Sequence, residues 1–582
     1  MPHCPLPLCL AATASLLALS MPLGGARAAE SDLKGRCLAL EKTMAGHWPD
    51  ASTHIVSATP QAAGPYTLSP TMPGALGGPV QLPDHCEVYG VMHERTGANG
   101  QAYAIRFHLR LPTTWNQGFF FQGGGGTNGD VGNAIGPTGS DTMPAILQGY
   151  AVVSQDSGHD NQRNMDPSHG GIAAFGFDAQ ARADYGNASL KPVADAAKAL
   201  VAAFYGAAPH RSYFVGCSKG GEEGMVFAQQ HPEEFDGILA SAPGFALPRA
   251  ALAQAWDVQV FAPLAKGPDG QPALSRLPVA YSEADMALVN DAVLEACDAD
   301  DGAKDGIVSA FAQCTTAKVM PGLKAHTCAG AKADGCLSQA QVSALVQSLN
   351  GPRTKAGQPI YSDWPWDSGI AARGWRAWKL GLPEQGMGPT LNVALGGVSL
   401  ASIFTTPPTP LPPDPQALLR WQMGLDIDQT AVRLTATSAT FPRSAWQDVS
   451  ARSPDLSGLK ARGAKLMVPH GASDPVFSIN DTLAWWREVD GREGGKAAAF
   501  VRVFPVPGMN HCAGGPATAH YDAFSALVRW VEQGQAPDRI LASAGPDTPW
   551  PGRTRPLCPY PKVARYKGTG DLNSADSFDC AL

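Results

Sequence analysis

The sequence predicts an α/β protein, a mainly parallel sheet with covering helices that is split by one long insertion. Strand-like apolar runs alternate with helical stretches from Gly118 to Ala240, which makes a parallel sheet the economical arrangement. Three such runs end on Ser218, Asp474 and His511, in that chain order. Between the first and second of these runs lies the insertion: from about Leu247 to Gly458 the chain is irregular and rich in Trp and Pro, and a core-strand signature resumes at Ala464–Val468.

Composition narrows the function classes. A chain of 582 residues buries a large core and forms more than one compact unit. Its net charge of -8, with 43 basic and 51 acidic residues, implies no cationic surface for nucleic acid. A small or neutral partner is expected, acting on a monomer. Leu6–Leu23 is apolar, and Ala26-Arg27-Ala28 supplies a small-x-small cleavage pattern. Residues 1–28 therefore read as a signal peptide, and the mature protein as secreted or periplasmic. No later stretch reaches about 18 apolar residues, so no membrane span is expected.

Of twelve cysteines, Cys4 and Cys9 fall in the leader and ten remain. An oxidising compartment makes disulfides the default, and zinc, the rival, lacks any Cys-x-x-Cys pair. Sequential neighbours suggest Cys297 with Cys314, Cys328 with Cys336, and Cys558 with Cys580, although spacing alone leaves connectivity open.

In chain order, Ser31–Trp48 is expected as a short helix and Thr53–Pro79 as turns. Gln101–Leu111 alternates through Tyr103, Ile105, Phe107, Leu109 and Leu111, the pattern of a half-buried strand. Gly118–Gln122 is a second strand, running into four consecutive glycines, Gly123 to Gly126. Glycines permit close backbone approach and leave N–H groups free; in a hydrolase such a loop supplies one oxyanion donor, the alternative being a flexible surface loop. Tyr150–Gln155 is a strand, Lys191–Tyr205 a helix with Val193, Ala197, Leu200 and Phe204 on one side, and Ser212–Val215 a strand leading into Gly216-Cys217-Ser218-Lys219-Gly220. A strand turning directly into a helix needs glycines around the turn and lifts the serine above the sheet edge. Ser218 is the candidate nucleophile, and the amide of Lys219 the second oxyanion donor.

Residues 246–460 form the expected inserted domain, between core portions 29–245 and 461–582. Helices are expected there at Glu283–Glu295 and Leu337–Leu349. Asp298, Asp300, Asp301 and Asp305 put four carboxylates into eight positions. They repel unless a cation lies between them, and oxygen ligands with turn glycines suit calcium. The side chains of Asp298, Asp301 and Asp305 and the carbonyls of Ala303 and Ile307 are the candidate ligands of a structural ion; a solvated acidic turn is the alternative. Beyond the insertion, the strand from Lys465 ends in a turn holding Asp474, and Phe500–Phe504 leads to His511. The order Ser, Asp, His is that of the α/β-hydrolase fold: His511 as base, Asp474 fixing its tautomer. Cys217 and Cys512 flank the nucleophile and base, so they come within bonding reach if Ser218 and His511 touch.

Gly-Cys-Ser-x-Gly-Gly at 216–221 with Asn510-His511-Cys512, Gly471-Ala472-Ser473-Asp474 and the acidic loop together resemble the tannase and feruloyl esterase family over nearly the whole mature chain. Gly158-His159-Asp160, Gly374-Trp375-Arg376 and Arg555-Pro556-Leu557-Cys558-Pro559-Tyr560 are similar to its branch that cleaves terephthalate monoesters. The resemblance implies an α/β-hydrolase fold with a large inserted lid domain and a secreted serine carboxylic-ester hydrolase with one structural calcium and no organic cofactor. It implies the triad Ser218, Asp474 and His511, oxyanion amides at Gly126 and Lys219, a Cys217–Cys512 bridge, and the pairs Cys37–Cys86 and Cys297–Cys314. Esters of feruloyl, galloyl or terephthaloyl type are the implied substrates; mono(2-hydroxyethyl) terephthalate, releasing terephthalate and ethylene glycol, is the alternative reading. Trp378, Leu395 and Phe404 are candidates to sandwich a ring, with plain lid packing as the alternative, and His470 is a further candidate contact. Counting back from Phe404-Thr405-Thr406-Pro407-Pro408 puts Leu391, beside Asn392, where that branch grips a carboxylate with an arginine. Leucine cannot do so; Arg373 or Arg376 is the candidate substitute. The competing class, a non-catalytic carbohydrate- or calcium-binding export protein, is opposed by retention of all three triad members.

Overall fold

The computed structural model describes residues 23–68, 78–139, 142–382 and 390–582. Most of the expected leader, up to residue 22, lies outside them. The chain opens with α1 (Leu23–Met44) and then builds a nine-stranded sheet from β1 (His54–Gln61), β2 (His85–Thr96), β3 (Ala102–Pro112), β4 (Gly118–Gln122), β5 (Ala151–Gln155), β6 (Arg211–Cys217), β7 (Gly237–Ser241), β8 (Lys465–Gly471) and β9 (Val501–Val506). Spatial order is β1-β2-β3-β5-β4-β6-β7-β8-β9. The pairings β1·β2, β2·β3 and β3·β5 are antiparallel, and all the rest are parallel.

Period-2 alternation sorts side chains to the two faces. On β4, Phe119 and Phe121 join one hydrophobic cluster while Phe120 joins another on the opposite face, each fully buried and worth about 2–3 kcal/mol. On β6, Phe214 faces the first cluster, and Tyr213 and Val215 the second. The helix α2 (Leu190–Tyr205) buries Val193, Ala197, Leu200, Val201 and Phe204 and stops at Gly206, whose φ of 74° suits a left-handed cap.

Adjacent strands β7 and β8 are hydrogen-bonded neighbours, with Lys465 opposite Gly237, although residues 242–464 separate them. That excursion carries α4 (Leu247–Phe261), α5 (Glu283–Cys297) and α6 (Gln339–Leu349) but no strand of the main sheet, α3 being Lys219–Gln230 in the core. Ser282 and Ser338 close capping boxes on α5 and α6, which explains why these two were legible. After β8 come α7 (Ile479–Arg492), α8 (Ala523–Gln533) and two small C-terminal sheets.

Two expectations need correction. Thr53–Pro79, read as turns, contains the edge strand β1 and the strand Gly64–Leu68; on β1 only Ile55 is buried, so no apolar alternation betrays it. The start of the insertion, read as irregular, is the helix α4. Ala250, Ala251, Leu252, Ala253, Gln254 and Ala255 are all buried, so the helix lacks a polar face and with it the period that marks a surface helix.

Candidate active site

β6 delivers Ser218 at its carboxyl end, and the turn into α3 forces this residue to φ 66°, ψ -119°, a conformation rare for a non-glycine residue. The glycines around it are obligatory. A Cβ on Gly216 would stand 2.4 Å from the Gly220 carbonyl oxygen, and one on Gly220 2.6 Å from that of Gly124. Strand β8 ends at Gly471 with Asp474 in the following turn, and β9 leads to His511. The three meet. His511 Nε2 lies 2.9 Å from Ser218 Oγ, and His511 Nδ1 2.7 Å from Asp474 Oδ2. Asp474 Oδ1 accepts from the Val476 and Phe477 amides at 2.8 and 3.1 Å. Burial works against the Asp474 charge, but His511 and His470 hold its carboxyl well below the usual range, so it stays ionised. Cys217 and Cys512 are bonded, and the remaining eight cysteines pair as Cys37–Cys86, Cys297–Cys314, Cys328–Cys336 and Cys558–Cys580.

The glycine loop and the nucleophile turn are tied together underground. Lys219, 1 % exposed, places its ammonium 2.8 Å from Glu222 Oε2 and 3.1 Å from Glu223 Oε1. Glu223 Oε2 in turn accepts from the Gly124 amide at 2.8 Å, and Glu223 Oε1 from Asn128 Nδ2 at 2.9 Å. Tyr185, whose ring lies under the Lys219 ammonium, donates its hydroxyl to the Gly126 carbonyl. One buried charge cluster thereby fixes both proposed oxyanion positions. Among the described residues, neither the Gly126 nor the Lys219 amide is spent on a backbone acceptor.

Above Ser218 opens a pocket lined by Gly126, Lys219, Trp378, Leu395, Phe404 and Phe477, with Tyr185, Leu247, Ala251, Gln254, Gly396, Ser399 and Val476 completing its walls. Trp378 and Phe477 meet the His511 ring edge-to-face, with centroids 5.9 and 5.3 Å away. Leu395 and Gly396 reach the pocket from a π-helical turn, Asn392–Gly397.

Other candidates are placed elsewhere. His470 is fully buried behind Asp474: its Nδ1 lies 3.0 Å from Thr482 Oγ1, and its Nε2 3.0 Å from the Phe477 carbonyl and 3.3 Å from Asp474 Oδ2. It braces the acid and does not border the pocket. Leu391 precedes the π turn and is absent from the lining, and Asn392 is fully buried against Asp257. Arg376 gives its guanidinium to the Pro278 and Tyr281 carbonyls, and Arg373 does not line the pocket either. Gln254, Tyr185, Val476 and Phe477 were missed. Their only sequence trace is a glutamine in an alanine-rich stretch and two apolar residues just after Asp474.

In the acidic loop, Asp298 accepts from the Gly306 amide, and Asp301 from the Ala303 and Ser309 amides. Asp305 pairs with Arg555. Among the described residues no three metal-ligating side chains converge on one point. The donor set is nonetheless all oxygen, and Asp298 and Asp301 are buried without an ion-pair partner among the described residues.

The chain matches the family model for tannase and feruloyl esterase over residues 86–581. It is 42 % identical to the mono(2-hydroxyethyl) terephthalate hydrolase of Piscinibacter sakaiensis, covering 92 % of this chain and 89 % of that one. It is 30 % identical to a probable feruloyl esterase of Arthroderma benhamiae, covering 89 % and 88 %. In structure it is similar to feruloyl esterase B from Aspergillus oryzae, with a TM-score of 0.71 at 21 % identity over 94 % of this chain and all of that one, which supports the same fold. A match of this extent leaves one assignment: the chain belongs to the tannase and feruloyl esterase family.

Proposed function

We propose that this protein is an exported serine esterase that cleaves esters of small aromatic acids through an acyl-enzyme. The observation that carries the reading is the hydrogen-bonded line Ser218–His511–Asp474 at the floor of a pocket walled by Trp378, Leu395 and Phe404. His511 Nε2 takes the hydroxyl proton as Ser218 Oγ attacks the ester carbonyl carbon, and hands it to the leaving alcohol as the tetrahedral intermediate collapses. Asp474 holds the imidazole in the matching tautomer and stabilises the imidazolium. Charge gathered on the carbonyl oxygen falls to the Gly126 and Lys219 amides, in a setting where the buried Lys219 cluster keeps both from drifting. Water then repeats the sequence on the acyl-enzyme and releases the acid. Residues 246–460 act as the lid in this reading, since they supply the pocket's upper wall. Five disulfides support export into an oxidising compartment.

A second reading, mono(2-hydroxyethyl) terephthalate as the preferred ester, draws support from the 42 % identical relative of that name. Against that preference, Leu391 stands outside the pocket and Arg376 is engaged elsewhere. kcat/KM for methyl ferulate, methyl gallate and the terephthalate monoester decides between the readings. Ser218→Ala, assayed beside the parent, is expected to lose at least about a thousandfold in turnover with the fold intact. Activity within tenfold of the parent, or a parent inert to all three esters, would overturn the esterase reading.

We further propose that Asp298, Asp301 and Asp305, with the carbonyls of Ala303 and Ile307, take a structural calcium. Support comes from the two buried carboxylates without a cationic partner and from a donor set of hard oxygens. Bound there, the ion supplies no catalytic chemistry and neutralises the loop.

A further inference from the structure

Helix α4 starts beside the nucleophile, where the Gly244 amide donates to the Ser218 carbonyl at 3.0 Å. Leu247, Ala251 and Gln254 line the pocket from one face of this helix, at i, i+4 and i+7. Seven residues of helix advance about 10 Å, so Gln254 stands at the end of the pocket remote from Ser218. Gln254 as a residue is only 6 % exposed and borders the pocket, and among the described residues its amide has no hydrogen-bond partner in the protein. With no partner inside the protein, this amide finds its hydrogen bonds only in what fills the pocket, and an apolar residue at this place in an alanine-rich helix would need none.

A second observation fixes where the amide lies. A Cβ built on Gly396 would stand 2.0 Å from Gln254 Oε1. The amide is therefore laid against the bare Cα of the π turn, and any larger residue at 396 displaces it.

Charge in the pocket narrows what the amide can receive. Lys219 is the one basic residue in the lining among the described residues, and its ammonium is held by Glu222 and Glu223. A free carboxylate at the distal end would be buried without a cation, with only the neutral Gln254 Nε2 to donate to it. A phenolic hydroxyl donates to Oε1 or accepts from Nε2 and stays neutral.

We propose that Gln254 is the specificity-determining residue of the acyl pocket, its side-chain amide receiving the ring hydroxyl of a phenolic acid ester at the end away from Ser218. The proposal rests on the esterase reading above and adds the group that ranks one aromatic ester over another. Because a bound acyl group shuts the amide off from pocket water, one lacking the hydroxyl leaves it unpaired, and discrimination is large for a single oxygen atom.

The test is a pair of esters that differ by that oxygen, methyl p-coumarate and methyl cinnamate. For the parent, kcat/KM is expected to favour the hydroxylated ester by about tenfold to a hundredfold. In Gln254→Met, which keeps length and removes both polar atoms, the ratio is expected to fall to about one. Gly396→Ala, which leaves Gln254 in place but pushes its amide aside, is expected to lower the ratio as well, so the proposal does not hang on one variant folding. Ser399→Ala removes the other unassigned polar group of the pocket wall and is expected to leave the larger part of the preference. A parent ratio near one, an unchanged ratio in Gln254→Met, or a preference abolished by Ser399→Ala overturns the assignment to Gln254. Failure of the esterase reading looks different: neither ester is then hydrolysed by the parent above the level of Ser218→Ala.

Discussion

Glu222 and Glu223 lie one turn past the nucleophile, fully buried, and share a single ammonium. Burial pushes the Glu222 carboxyl up to about 8, with Lys219 offsetting only part of that cost. The sign follows from linkage. An unfolded glutamate releases its proton near its ordinary value of about 4.3, whereas the folded one keeps it to about 8, so between these values the folded state binds more protons. Stability therefore falls as pH rises through this window and levels off above about 8. Removing the charge removes that slope: Glu222→Gln is expected to lose less Tm than the parent between pH 5 and pH 9. Parallel Tm–pH curves for the two proteins would show that Glu222 is not the group responsible.

At the scale of elements, the catalytic line spans strands β6, β8 and β9, and the Cys217–Cys512 bond joins the first to the loop after the last. This bond closes a loop of 295 residues, worth on the order of 5 kcal/mol in the chain-entropy account, about twice the value for the eight-residue Cys328–Cys336 loop. It also sets the distance between nucleophile and base. Alanine at both 217 and 512 is expected to lower Tm by several degrees and kcat by about a hundredfold, as misplacement by about 1 Å does. Alanine at both 328 and 336 should cost stability alone, and equal kcat losses in the two double variants would refute the distinction. A contact from the inserted segment reinforces the same junction, with Asp367 accepting from Ser473 Oγ at 2.5 Å and from the Gly508 amide at 2.7 Å.

Across the whole molecule, the acidic loop links the inserted segment and the C-terminal sheets: Asp305 pairs with Arg555 and its carbonyl accepts from Arg553, while Arg565 donates to the Asp300 carbonyl. A cation bound here only in the folded state stabilises by mass action and leaves the Ser218 site untouched. Chelation is accordingly expected to lower Tm, with calcium restoring it, while turnover at low temperature persists. Protein purified without chelator that contains no calcium, and that shows no thermal shift on adding it, would count against the site.

The sequence by itself determined the parallel part of the sheet, the order of Ser218, Asp474 and His511, and the Cys217–Cys512 neighbourhood, because each depends on local pattern: an apolar run, its terminating turn, and a cysteine next to each reacting residue. It also marked α5 and α6, whose ends are closed by local capping boxes at Ser282 and Ser338. Tertiary structure alone completed the pocket wall. Tyr185, Gln254 and Phe477 come from three separate parts of the chain, and none carries a local signal of facing the same space as Trp378, Leu395 and Phe404. The helix bearing Gln254 was hidden because burial over most of its surface blurs the amphipathic period. His470 and Leu391 show the converse. Position next to a site in sequence put them on the candidate roll, but His470 turns behind Asp474 and Leu391 lies outside the lining, since which way a side chain faces is fixed by the elements packed against it.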